Sequence, residues 1–308
     1  MALRIKTNVM SLTAQRHLDN SSRGVNRHME QLTSGMRINK AADDAAGLAI
    51  SEVIRSDLRS LNQSRRNTND GISLIQVAEG SLVEVGNIVI RLKELAVQAA
   101  SDTIGTRERG YLNLEYMQLK DEIDRITLST EFNGTRLLTG MSELPESIRV
   151  KHQYPPFEIQ VDKDYSEDID ALTIPNPTNI IRLDFQPINT LTGGEGSLEI
   201  GPVGSDNETK IDVKEDAQRS MSALDKAVRK VASYRALLGS WQNRLESADR
   251  NLGIRMENLA AARSRIADAD FASQTAQFTQ FSIMQQAGAA VQLQANQLPE
   301  IALQLLKG

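Results

Sequence analysis

No cysteine occurs in the 308 residues, which removes disulfides, thiolate metal sites and cysteine nucleophiles in one step. Aromatic residues make up only 4%, with a single tryptophan, so a core of Ala, Leu, Ile and Val is expected, which suits long packed helices better than a compact mixed fold. Basic charge is not in excess, the net being −5, so bulk nucleic-acid binding is not implied. No stretch of 18 uninterrupted apolar residues is present and residues 1–10 hold no continuous apolar run, so neither a membrane span nor a secretory signal is expected. Histidine is scarce as well: His17, His28 and His152 stand with no His-Glu-x-x-His pattern, and neither a phosphate loop nor a Gly-x-Ser-x-Gly elbow is found. No enzyme, cofactor or metal site is therefore expected.

Proline and charge divide the chain. Seven of the eight prolines fall between residues 141 and 215, which leaves both flanking arms free to be long helices. The same stretch has fifteen acidic and six basic residues, a net of −9, and is expected to be a separate, solvent-facing unit. Within it, alternation in Phe157, Ile159 and Val161 and in Ile181, Leu183 and Phe185 predicts strands.

Both arms carry heptads. In the C-terminal arm Leu224, Ala227, Val231, Tyr234, Leu238, Trp241, Leu245, Ala248, Leu252, Arg255, Leu259, Ala262 and Ile266 step by three and four without a break. The N-terminal arm does the same from Leu58 to Ala99 with one skipped residue near Ala78, and a shorter seam runs Leu112, Tyr116, Leu119, Ile123, Ile126. Asp102 to Thr106 reads as the turn before it. Seams drawn from both ends of a chain bury their apolar faces most simply against one another. The predicted fold is mainly α, a long antiparallel coiled-coil helical bundle closed by the N- and C-terminal arms, with a small β-rich insert.

The last 38 residues, Phe271 to Gly308, contain only two charged side chains, Glu300 and Lys307. Phe281, Met284, Gly288, Val291, Ala295, Leu298, Ala302 and Leu305 share one helical stripe there. At the other end Ile5, Val9 and Leu12 begin a stripe in a segment, residues 1–40, with seven basic and two acidic groups. An ordinary intramolecular coiled coil keeps charged flanks, and a membrane-surface helix keeps a basic face. The tail has neither and reads as an assembly element, with Ile5, Val9, Leu12, Phe278, Phe281, Met284, Val291, Leu298 and Leu305 as its candidate seam.

Residues 34–51, Ser-Gly-Met-Arg-Ile-Asn-Lys-Ala-Ala-Asp-Asp-Ala-Ala-Gly-Leu-Ala-Ile-Ser, suit a helix ended by Gly35 in a left-handed conformation and a second helix begun at Asp43 and Asp44. The stretch resembles the N-terminal signature of bacterial flagellin. Further resemblances follow in order at Asn67–Gly71, Leu92–Ala99, Glu131–Leu138, Gln242–Ser247, Ala262–Phe271 and Gln285–Pro299.

This resemblance implies a structural subunit of the flagellar filament. Residues 1–40 and 272–308 would form its inner tube, 41–140 and 216–271 its outer helical wall, and 141–215 a β-rich hairpin and short exposed insert. It further implies a partner list: the chain itself, the flagellar export apparatus, an export chaperone on the C-terminal arm, and filament cap and junction proteins. The implied location is an extracellular flagellum, naked, sheathed or periplasmic. Recognition by a Toll-like receptor is implied at a patch mapping onto Arg91, Leu95 and Glu115. A hook-filament junction protein is the alternative, since it shares such termini.

Overall fold

The computed structural model describes residues 8–140, 157–164, 179–193, 196–204 and 209–307, with side chains up to residue 297. The chain divides into two compact units, one of residues 1–58 with 257–308 and one of residues 59–256.

The first unit holds helix α1 (Val9–Ser34), the start of α2 (Ala45–Ala99), the end of α4 (Lys214–Ala267) and helix α5 (Phe271–Lys307). Helix α1 begins on Asn8, whose side-chain oxygen accepts from the Ser11 amide, and ends on Gly35 at φ 69°. That left-handed value is where a glycine has no Cβ penalty. Asp44 rather than Asp43 opens α2, its carboxylate accepting from the Gly47 amide at 2.9 Å. Asp43 instead organises the connection, accepting from the amides of Asn39 and Lys40 and from Arg27 of α1. A two-residue antiparallel bridge joins Met36 to Asp268, with the Arg37 amide donating to Ala267 and the Ala269 amide to Gly35. The α1–α2 and α4–α5 connections thus hold each other, and α1 runs antiparallel to α5.

The second unit is built on the rest of α2 and α4 with α3 (Thr106–Ser129). Leu61, Ile75, Ala78, Leu82, Val85, Val89, Leu92, Ala96 and Ala99 on α2 are buried, as are Leu224, Ala227, Val231, Tyr234, Leu238, Leu245 and Leu252 on α4. These are the heptad positions. Ion pairs Arg65–Asp249 and Lys93–Asp225 run in opposite chain order, so α2 and α4 are antiparallel. One helix among the described residues, α2, contains an 18-residue window of mean hydropathy 1.3, enough by length and composition to cross a membrane. Its residues Ile75, Leu82, Val85 and Val89 are fully buried against protein in this unit.

Two small hairpins complete the unit. Strands β1 (Glu131–Phe132) and β2 (Thr135–Arg136) turn through Asn133 at φ 50° and Gly134 at φ 75°, the conformation that an Asn-Gly pair favours in a two-residue turn. Strands β3 (Phe157–Gln160) and β4 (Ile180–Leu183) pair antiparallel with Ile159 opposite Ile181. Ile181 and Leu183 enter the core, where Phe185 packs edge-on against Phe157 and Trp241.

The described residues of the 188–211 stretch, 188–193, 196–204 and 209–211, depart from the exposed unit expected of them. Ile188, Leu198, Ile200 and Ile211 are fully buried among the helices. Their backbone is held by α3: Asp124 accepts from the Thr192 amide at 2.8 Å and from its hydroxyl at 2.6 Å, and Asn113 accepts from the Ile211 amide. The composition of the stretch hid this, because many of its buried residues are polar, Asn189, Thr190, Thr192 and Ser197 among them, and give no apolar pattern.

Candidate functional site

The α1–α5 pair carries the residues expected to form the assembly seam. Its intramolecular contact combines glycines with the large side chains seated on them. Gly24 faces the Phe281 ring so closely that a Cβ there would stand 2.5 Å from it. His28 stacks on that ring at 5.3 Å between centroids and pairs through Nδ1 with Gln274 at 2.7 Å. Farther along, Gly288 leaves room for Leu18, and Asn8, Ser11, Gln292 and Asn296 form a polar group. The stripe turned toward α1 therefore runs Gln274, Phe278, Phe281, Gln285, Gly288, Gln292, Ala295, all buried or half-buried.

This stripe is rotated from the sequence expectation. Phe278 and Phe281 lie at the contact, but Met284 and Val291 do not: they are exposed, Val291 by 56%. Val9 and Leu12 on α1 are 60% and 58% exposed. Around them Met29, Ile283 and Leu293 are also open. Ile5 and the side chains of Leu298 and Leu305 lie outside the described residues. The pair thus uses its glycines, alanine and glutamines against itself and leaves its larger aliphatic groups outside. Isolated exposed apolar residues are ordinary, but a series on two paired helices, of which α5 is nearly uncharged, is a surface that favours burial by another chain.

The second candidate patch divides. Arg91 and Glu115 are exposed and joined at 2.9 Å, with Glu94 as a further partner of Arg91. The Glu115 carboxylate, then Glu94, hold the guanidinium's pKa above its ordinary value. Leu95 is not on the surface: it is 1% exposed, within the core cluster of α2, α3 and α4. A helix places residues four apart on the same side only approximately, and here the step from Arg91 to Leu95 crosses from rim to core.

Sequence reasoning passed over a buried polar cluster on α3. Lys120 is fully buried, its ammonium 5.8 Å from the Tyr116 ring and donating to the Thr209 carbonyl, while the Tyr116 hydroxyl pairs with that of Thr209 at 2.9 Å. A lysine four residues after a heptad tyrosine is the only signal it left. Of the histidines, His28 stacks on Phe281, and His152 lies outside the described residues.

With that geometry in place, comparison with known proteins is direct. The family described as "Bacterial flagellin N-terminal helical region" matches residues 5–143, and "Bacterial flagellin C-terminal helical region" matches 221–306. The chain is 38% identical over 305 residues to the flagellar filament 33 kDa core protein of Treponema phagedenis, covering 98% of this chain and 99% of that one. It is 38% identical to the flagellin of Halalkalibacterium halodurans, with 98% and 99% covered, and 38% identical to that of Bacillus subtilis, with 99% and 100% covered.

Proposed function

The chain belongs to the bacterial flagellin family, and from that premise we propose how its parts serve a flagellar filament. As a flagellin it is a structural subunit of that filament, and the junction-protein alternative is not favoured by relatives that match along the whole chain. One observation carries the assignment of surfaces: the open aliphatic groups Val9, Leu12, Met29, Ile283, Met284, Val291 and Leu293 on the α1–α5 pair. In the reading proposed, neighbouring copies cover these groups, with Ile5, Leu298 and Leu305 continuing the same seam. Residues 1–40 and 272–308 line the inner tube, 41–140 and 216–271 build the outer wall, and 141–215 supply a β-rich hairpin with a short exposed insert, its residues Ile188, Leu198, Ile200 and Ile211 packed into the wall. Tight burial of several aliphatic side chains at every neighbour, repeated along a lattice, contributes about 1.5 to 3 kcal/mol for each fully covered group.

The role is mechanical, a closed wall that transmits torque, and no catalysis is proposed. The partners follow from the role: the export apparatus and a chaperone that shields the C-terminal arm before assembly, then cap and junction proteins at the filament's ends. The filament lies outside the cell. A Toll-like receptor contact, in this reading, falls on the exposed Arg91 and Glu115 and not on Leu95, whose burial supports a packing role in the outer wall.

Seeded polymerisation is the test. Purified chain mixed with short sheared filaments of the same protein is expected to pellet and to extend the seeds as tubes in electron micrographs. A chain that stays in the supernatant at every concentration contradicts the proposal.

A further inference from the structure

In an α-helix each carbonyl takes the amide hydrogen of the residue four places on. Helix α5 continues through residue 299, a proline, which has no amide hydrogen to give. The carbonyl of Ala295 is thereby left without its helical donor, in a residue only 5% exposed. A buried acceptor left empty costs about 1 to 3 kcal/mol, so such groups are normally filled. Here the donor comes from the other end of the chain: Asn8 Nδ2 donates to the Ala295 carbonyl at 2.7 Å. The same side chain is already in use, its Oδ1 accepting from the Ser11 amide at 3.1 Å as the N-cap of α1.

We propose that Asn8 and Pro299 are a matched pair that sets the register of α1 against α5. One carboxamide closes the first turn of α1 with its oxygen and repairs the proline's vacancy in α5 with its nitrogen. Sliding α5 by a residue or a turn would bring Asn8 to a carbonyl that already has its helical amide, and would leave that of Ala295 empty. The Gly24–Phe281 fit lies at the far end of the pair, and near Asn8 the other contacts do not discriminate as well. Gly288 and Ala295 are small, and Gln285, Gln292 and Asn296 can find one another's polar atoms in several registers. Ser11 hydroxyl to Asn296, at 2.8 Å, is an exposed contact of that kind. A single polar group that specifies register among permissive apolar contacts is a known device of paired helices. In a lattice of many copies, the register fixed here decides which aliphatic groups each subunit presents to the next.

The inference rests on the filament reading only through its assay. Asn8→Ser keeps a capping oxygen but cannot reach Ala295, and Asn8→Asp keeps the shape and the cap while losing the donor. Pro299→Ala returns an amide hydrogen to α5 and makes the Asn8 donor redundant. The critical concentration for seeded polymerisation is expected to rise about fivefold for either Asn8 variant when residue 299 is proline, and to stay within about 1.5-fold when it is alanine. An equal rise in both backgrounds means that Asn8 acts independently of Pro299 and overturns the inference; no rise in either, the result expected if Asn8 only caps α1, overturns it too. If the unaltered chain does not polymerise, the filament reading falls instead. The same comparison, read as loss of helical circular dichroism on heating, then decides the register pair by the same rule.

Discussion

Gly24 is the residue on which the close approach of α1 to α5 turns. The Phe281 ring occupies the space where its Cβ would be, and His28 stacks on that ring. Alanine at 24 gains about 1 kcal/mol of helix propensity, but overpacking against a ring held by the His28 stack costs about 1 to 3 kcal/mol, so the collision is expected to win. Gly24→Ala should weaken the pairing, seen as faster hydrogen exchange in α1, and Phe281→Leu in the same chain should restore it. If Gly24→Ala alone slows exchange, the ring moves freely and the contact is not as tight as it stands.

Asp43 makes a second prediction at this scale. Hydrogen bonding from Arg27 holds its carboxyl below the usual carboxylate range; burial works against this, and the amides of Lys40 and Asn39 add to it. A carboxylate whose folded pKa lies below its unfolded value of about 3.9 contributes stability above that value and loses it as pH falls through the folded one. The difference in melting temperature between the natural chain and Asp43→Asn should therefore be largest above about pH 5 and close below about pH 4. A difference that is flat across this window contradicts the role given to Arg27.

Among the elements, the heptads of α2 and α4 were legible because large aliphatic residues alternate cleanly with charges. The exception explains itself. At Arg65 the pattern names a charged residue, and the structure buries Ser64 instead and turns Arg65 outward to Asp249. Helix α5 was legible as a helix but not as a seam, since large apolar residues lie all around it and glutamine counts as polar in any pattern although it lies at the contact. The β1–β2 hairpin went unread despite Asn133-Gly134, because its strands are two residues long and give no alternation. Burial of 188–211 was illegible for a related reason: Asp124 and Asn113, which anchor it, are far away in sequence.

Leu95 tests the packing of these elements. Leu95→Ala opens a cavity among α2, α3 and α4 and should cost about 3 kcal/mol, visible as a clear fall in melting temperature. Arg91→Ala, at an exposed and salt-screened pair, should leave the melting temperature where it was. A Leu95 variant as stable as the Arg91 variant would place Leu95 on the surface after all.

For the whole molecule, an apolar face with almost no charge is stable in water only when something covers it, and the family supplies many copies of the same chain to do so. Val291 separates that explanation from any role within one chain, because it is 56% exposed and stands outside the α1–α5 contact. A carboxylate there meets solvent in the lone subunit and desolvation in the polymer, where an unpaired buried charge is strongly destabilising. The most direct measurement is seeded polymerisation of Val291→Asp beside the unaltered chain, with circular dichroism on both. The expected result is equal helicity and no sedimenting filament from the variant. Normal filaments from Val291→Asp would contradict the claim that this face is the surface on which the subunits assemble.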